Sequence, residues 1–249
     1  MIRIIQQSFP RILTVLLLST VWLSPVISEA QNLPQWMISL RDAVYEQELT
    51  ANNIAPLYNA AKTAARQNLS GTALNLALSR CEYFMGRAFL FEERNNEART
   101  HFSEGLRIVE GLIQTAPSAE AWVLRAENLS HLCQISTMAF VMSNGLKIEE
   151  YANAALQYNS RNAAAQFLIA ARWVYAPAPF NNHKKGIEMM SAIIQNGDMS
   201  RDDRFNVYSA IGYAYLQQKN NAEARRWLRR SLEVYPTNKY VNGLLNGIN

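Results

Sequence analysis

A six-residue pattern occurs twice in this chain, 126 residues apart and without a gap. Met85-Gly86-Arg87-Ala88-Phe89-Leu90 aligns with Ile211-Gly212-Tyr213-Ala214-Tyr215-Leu216. At the same offset Glu97-Ala98-Arg99 meets Glu223-Ala224-Arg225, Phe102 meets Leu228 and Leu106 meets Leu232. A small residue within one apolar helix, followed beyond a break by another, is what two antiparallel helices need to pack closely. The spacing predicts that Gly86 faces Ala98, that Gly212 faces Ala224, and that large side chains on either side fill the core. A chain with such internal copies is expected to stack helical hairpins rather than close around a single centre.

The remainder of the chain agrees with that expectation. From Leu33 onward apolar residues recur at three- and four-residue spacing, and no stretch alternates with the period of two that a strand requires. Only 10 glycines and 8 prolines occur in 249 residues, and they collect at a few sites. Breaks are expected at Asn68–Gly71, Asn95–Asn96, Ala116–Ser118, Ser143–Gly145, Ser160–Asn162, Pro177–Asn182, Asn196–Ser200, Asn220–Asn221 and Pro236–Asn238, giving about ten helices. Ser200 with Asp203 has the form of a capping box, Asn220 with Glu223 repeats it, and Asn95 and Asn96 occupy the corresponding place earlier.

These residues resemble the tetratricopeptide repeat (TPR), a helix-turn-helix unit of about 34 residues. The last copy, residues 205–236, carries Tyr208, Ile211, Gly212 and Tyr215 on its first helix, Ala224, Leu228 and Ser231 on its second, and Pro236 at its end. An earlier copy, 79–112, keeps Met85, Gly86, Phe89, Ala98, Phe102 and Gly105 but has Glu82 where the family prefers an aromatic, and its second helix runs on to about Thr115. Two looser copies lie between them. One uses Leu132, Ile135, Ser136, Ala139, Ile148, Ala152 and Ala155. The other uses Phe167, Ala170, Ala171, Val174, Gly186, Met190 and Ile193 around a Pro-rich turn. The resemblance implies an all-α, TPR-like α-solenoid over residues 79–236, with N-terminal helices in 31–78 and a closing helix in 237–249.

Residues 1–30 read as an export signal. Arg3 and Arg11 precede the uncharged run Ile12–Ser28, Pro25 breaks it, and Ser28-Glu29-Ala30 offers the small residues that signal peptidase cleaves after. A membrane anchor is the competing reading, though the run falls short of the ~20 apolar residues that span a bilayer. Cleavage after Ala30 would remove Arg3, Arg11 and Glu29 and take the formal net charge from +4 to +3. With no cysteine near the cleavage region, lipoprotein attachment is not expected, and the expected destination is the bacterial periplasm.

Nothing in the sequence assembles a catalytic centre. His101, His131 and His183 are scattered, and HExxH, CxxC, GxSxG and phosphate-binding glycine loops are missing. His131 and Cys133, two positions apart on a helix, project about 200° from each other. Glu149-Glu150 and Asp202-Asp203 read as solvated or first-turn acids. Asn68-Leu-Ser and Asn128-Leu-Ser match the glycosylation pattern, which matters only in a eukaryotic secretory route. Cys81 and Cys133 are two thiols on apolar helix faces, either free and packed or joined in a disulfide. No cofactor, no metal and no nucleic-acid partner is expected.

Binding is the remaining class. The resemblance implies that the first helices of successive repeats line a concave groove. That wall would carry Arg80, Tyr83 and Arg87, then Ser130, Thr137, Arg172 and Tyr175, then Asn206, Ser209 and Tyr213. Arginine, tyrosine and small hydroxyls suit an extended peptide with acidic or carbonyl groups. Tyr83, Arg87, Ser209 and Tyr213 stand where the dicarboxylate-clamp TPRs have Lys and Asn. The expectation is a non-catalytic adaptor for a protein or peptide. The alternative is an accessory subunit of a solute transporter that holds a small hydrophobic or anionic ligand. Two other features are open to either a contact or a structural role: the stiff stretch Trp173–Phe180, followed by His183-Lys184-Lys185, and the basic face Arg225, Arg226, Arg229 and Arg230. The second could touch anionic lipid or an acidic partner.

Overall fold

The computed structural model describes residues 33–248. The expected signal segment and its cleavage point after Ala30 lie outside the described residues, as does Asn249. Among the described residues eleven helices follow one another: α1 (Gln35–Glu46), α2 (Ala51–Asn68), α3 (Gly71–Phe91), α4 (Asn95–Ile113), α5 (Ala119–Gln134), α6 (Met138–Tyr158), α7 (Ala163–Tyr175), α8 (His183–Asn196), α9 (Arg201–Gln217), α10 (Asn221–Val234) and α11 (Lys239–Asn246). Four hairpins, α3–α4, α5–α6, α7–α8 and α9–α10, stack in order, each first helix also touching the first helix of the next hairpin. This is an all-α solenoid.

The two copies 126 residues apart turn in the same way. Each first helix ends at a residue with left-handed backbone, Glu93 (φ 58°) and its counterpart Lys219 (φ 59°). In each, the next N–H bonds back to the first helix, Arg94 N to Phe89 O at 3.0 Å and Asn220 N to Tyr215 O at 2.9 Å. The close approach is also shared, but its partner differs from the expected one. A Cβ on Gly86 would lie 2.6 Å from the ring of Phe102, and one on Gly212 would lie 2.7 Å from the side chain of Leu228. The glycines therefore make room for the large residue one turn beyond Ala98 and Ala224. The two alanines are fully buried elsewhere in the same core. Packing a ring or a leucine into a hole above glycine fills volume that two small residues would leave empty.

Caps settle several boundaries. Ser200 and Asp203 form the full capping box, and the Asn220 side chain accepts from Glu223 N. Asn95 and Asn96 do not cap α4: Arg94 stands at that position, and its guanidinium pairs instead with Glu97. The break expected at Ser143–Gly145 is absent, and α6 runs straight through it. Ser143 Oγ donates to Ala139 O and Asn144 Nδ2 to Phe140 O, so both side chains satisfy carbonyls of their own helix. The chain turns instead at Ile135–Thr137, where the Thr137 hydroxyl accepts from Phe140 N and starts α6. A further break, at Gln47–Thr50, separates α1 from α2, with Thr50 as N-cap.

The placement of α1 has no counterpart in the repeat pattern. Its buried face, Met37, Leu40, Val44 and Tyr45, enters one apolar cluster with Phe84 and Phe89 of α3, Phe205 of α9, Tyr235 and Val241. The first helix thus lies across the concave side and joins the first hairpin to the last. Its C-terminal end closes against the end of the chain. Gln47 Oε1 accepts from the N–H groups of Lys239 and Tyr240 at 2.8 and 3.2 Å, and Asn238 Nδ2 donates to Tyr45 O at 2.7 Å. Gln47 so satisfies two of the unpaired donors at the start of α11.

Candidate binding surface

The inner face of α3 presents Arg80, Tyr83 and Arg87 one turn apart, and all three are buried. Arg80 donates to Glu127 Oε2 at 2.7 Å and also pairs with Glu120, both on α5. Burial opposes its charge, but the two carboxylates outweigh that and keep the guanidinium fully protonated. Burial also pushes Glu127 up to about 7 against the pull of Arg80. Across the concave side, burial and the neighbouring Asp202 push Asp203 up to about 6. Between them lies a void of about 30 Å³, lined by Arg80, Glu120, Glu127, Asp198, Asp202 and Asp203.

Arg87 is in a different situation. Its guanidinium donates to the hydroxyls of Tyr45 and, at 3.0 Å, Tyr83, and sits 4.2 Å from the Tyr45 ring centroid and 5.3 Å from that of Phe91. It forms no ion pair with any carboxylate among the described residues, and its Nε has no partner. Two hydroxyls and three rings, those of Tyr45, Tyr83 and Phe91, hold a buried charge that no carboxylate contacts directly. From the far wall, Asn206 of α9 donates to the same Tyr45 hydroxyl at 3.1 Å. Tyr45 therefore ties Arg87 to Asn206.

The residues expected along the wall divide into three groups. Arg80, Tyr83, Arg87 and Asn206 come together, but under α1 rather than in an open channel. Ser209 is buried and donates to Asn206 O within its own helix. Tyr175 and Tyr213 form the second group: their rings pack 5.2 Å apart at the open edge, where Tyr175 keeps 45% of its surface exposed. Thr137 and Arg172 stand apart from both groups. Thr137 is the cap of α6, and Arg172 pairs with Glu149 on the outside. Ser130 is half-buried on α5.

Some residues that matter were not visible as site candidates in the sequence. Arg41, Asp42, Tyr45 and Glu46 of α1 make long-range polar contacts: Arg41 with Asp202, Asp42 with Arg201 (2.7 Å) and the Tyr235 hydroxyl (3.0 Å), and Glu46 with Thr237 (2.7 Å). The one available signal was Glu82, an acid at a position the repeat reserves for a ring. It lies buried, accepting from the Tyr58 hydroxyl at 2.7 Å and Lys62 Nζ at 2.6 Å, with His101 Nδ1 2.7 Å from its second oxygen. Burial alone would raise its carboxyl. The bonds from His101, Lys62 and Tyr58 instead hold it down to about 2. The network anchors α2 on the first hairpin.

The remaining candidates resolve locally. Burial pushes His131 down to about 3, and its neutral ring stacks on Phe102 at 4.9 Å, while Cys133 packs in a separate cluster with Val123 and Leu129. Both thiols are free, and burial pushes that of Cys81 up to about 12. On the outer face Arg225 donates to Ile248 O, Arg226 pairs with Glu223, and Arg230 lies over the rings of Tyr208 and Trp227. In the Pro-rich connection Lys185 Nζ sits 3.7 Å from the Trp173 ring centroid, and Phe180 points into solvent. Among the described residues no cluster of His, Cys, Asp and Glu could hold a metal ion, and no helix is long and apolar enough to cross a membrane.

Residues 205–238, which span α9 and α10, match the family model of the tetratricopeptide repeat. The chain carries a tetratricopeptide repeat there. The fold of the whole solenoid agrees with that of TTC0263, a thermophilic TPR protein of Thermus thermophilus, at a TM-score of 0.52 and 14% identity, over 80% of this chain and 90% of that one. YrrB, a TPR protein with an unusual peptide-binding site, aligns at a TM-score of 0.38 and 14% identity over 86% of this chain and 98% of that one. No curated protein sequence matches the chain. What sets this chain apart from a plain stack of hairpins is α1, which occupies the concave side that the hairpins alone would leave open.

Proposed function

We propose that this protein is a non-catalytic TPR scaffold of the bacterial periplasm. It binds an extended segment of a protein partner on the strip of concave wall that α1 leaves uncovered. The observation that carries the reading is the pair of half-exposed tyrosines Tyr175 and Tyr213, whose rings pack 5.2 Å apart at the open edge beyond α1. Tyrosine rings supply contact area at little entropic cost, and their hydroxyls can bond to the carbonyl groups of an extended chain. Export is supported by the N-terminal pattern of Arg3, Arg11, Ile12–Ser28 and Ala30. The void beside Arg80, at about 30 Å³, is far smaller than the pockets of about 300–1,000 Å³ that hold small ligands, so it does not favour a solute at that place.

The test starts with affinity purification from envelope extracts and identification of the captured partner by mass spectrometry. Titration of that partner should then show Tyr175→Ala and Tyr213→Ala each weakening binding by ~1–2 kcal/mol, while Arg226→Ala and Arg229→Ala on the outer face leave it unchanged. Loss of binding in the outer-face variants alone would move the site to the basic surface. Intact mass of the exported protein should begin at Gln31; retention of residues 1–30 in the membrane fraction would replace the cleaved signal by an anchor.

A further inference from the structure

The first half of α6 leaves an apolar face uncovered. Met138, Met142 and Leu146 follow one another at four-residue spacing and expose 70%, 78% and 76% of their surface. Ala139 lies on the same face and is exposed as well. The opposite face of the helix, with Tyr151, Ala152 and Ala155, is buried against α5 and α7. Scattered exposed leucines are ordinary, but three large side chains aligned on one stripe are the mark of a contact surface. This stripe lies on the second helix of its hairpin, away from the open edge that holds Tyr175 and Tyr213.

We propose that this face pairs with the same face of a second copy of the chain, the two α6 helices running antiparallel about a two-fold axis at Met142. A two-fold contact joins one patch to itself, so the patch must be self-complementary along its length. This one is. With Met142 at the axis, Met138 of each copy lies over Leu146 of the other, and Ala139 keeps the helices free to approach. The charges also fit. The first turn of α6 contains no acid, and the Thr137 hydroxyl caps only one of its free N–H groups. At a rise of ~1.5 Å per residue, Glu150 of one copy lies ~12 Å from the axis, just past the N-terminus of the other helix. Its carboxylate forms no ion pair within its own chain among the described residues and meets the positive end of the partner helix dipole. Glu149 is taken by Arg172. Three large side chains per copy bury less area than an obligate interface, so the dimer forms with increasing concentration.

Sedimentation equilibrium of the chain from Gln31 to Asn249, from micromolar to hundreds of micromolar, is the direct test. The expected result is a mass that rises from one chain to two, with Met142→Glu and Leu146→Glu each holding it at one chain. Both sites are on the surface, so far-UV circular dichroism and the melting midpoint of the two variants should match the parent. In a Cys133→Ser background, Met142→Cys should oxidise to a covalent dimer, and Arg229→Cys on α10 should not. A single-chain mass at every concentration overturns the proposal. So does a dimer that survives Met142→Glu, or equal cross-linking at positions 142 and 229.

Discussion

Tyr45 is the residue on which closure of the solenoid most depends, and replacing it separates two contributions. Its ring is fully buried, stacked on Tyr235 at 4.9 Å and edge-on to Phe205 at 5.5 Å. Its hydroxyl accepts from both Arg87 and Asn206. Tyr45→Phe keeps the ring and removes the acceptor, leaving a buried guanidinium with Tyr83 as its one hydrogen-bonded partner. A lost bond to a charged group costs about 2 kcal/mol, which in a domain of this size lowers Tm by about 4–8 °C. Tyr45→Ala also empties a site walled by two rings and should cost at least about 4 kcal/mol. The form of the transition is as informative as its midpoint. Stacked repeats without long-range ties unfold as nearest-neighbour chains, whereas α1 links residues 41–47 to residues 201–240. Thermal melts followed by circular dichroism should show one sharp transition for the parent and a broader or divided one for Tyr45→Ala, with new protease cleavage near Gln47–Thr50. A Tyr45→Ala protein that melts as sharply as the parent, within a degree of it, would refute the view that α1 couples the two ends.

Gly212→Ala places a methyl 2.7 Å from Leu228 and should cost ~1–3 kcal/mol in urea unfolding, whereas Gly111→Ala, with nothing within 4 Å, should stabilise by about 0.5–1 kcal/mol. Glu82 is held to about 2 in the fold, so its contribution is complete above its unfolded value of 4.5 and is lost as pH falls from there towards 2; Glu82→Gln should lower stability at pH 7 by up to about 3 kcal/mol and flatten the acid limb. Glu127 has the opposite sign: raised to about 7, it contributes fully below 4.5 and loses that contribution as pH rises to 7, so Glu127→Gln should reduce the fall of Tm across that window, with Asp203 supplying the remainder. A thiol reagent should label Cys133 in the native protein and reach the fully buried Cys81 only after unfolding, as followed by intact mass.

The hairpins were legible because their determinants are local. Gly86 and Gly212, the buried alanines, and the caps Ser200 and Asn220 act within one helix or between neighbours, and they recur at one offset. Two local readings failed for a reason that is equally physical. Ser143, Asn144 and Gly145 look like a turn, yet the first two can bond to carbonyls four residues back and remain helical when tertiary packing favours it. Size alone pairs Gly212 with Ala224, whereas packing places the glycine under Leu228, one turn further on.

The candidate wall was legible as a helix face but not as a surface. Arg80, Tyr83 and Arg87 share a side of α3 by spacing alone, and that much follows from 3.6 residues per turn. Whether that side meets water, a partner or another part of the chain depends on α1. The contacts of α1 with Asp202, Arg201, Tyr235, Thr237 and Asn238 join residues that are between 155 and 193 positions apart. No periodicity records such pairs, because each arises from a single meeting of two surfaces and not from a repeated one. The sequence by itself thus determined the helical repeat, its turns and its small-to-large packing, all of which are nearest-neighbour properties. Only the tertiary structure decided that the concave side is closed by the chain's own first helix, leaving Arg87 buried and without a carboxylate in contact.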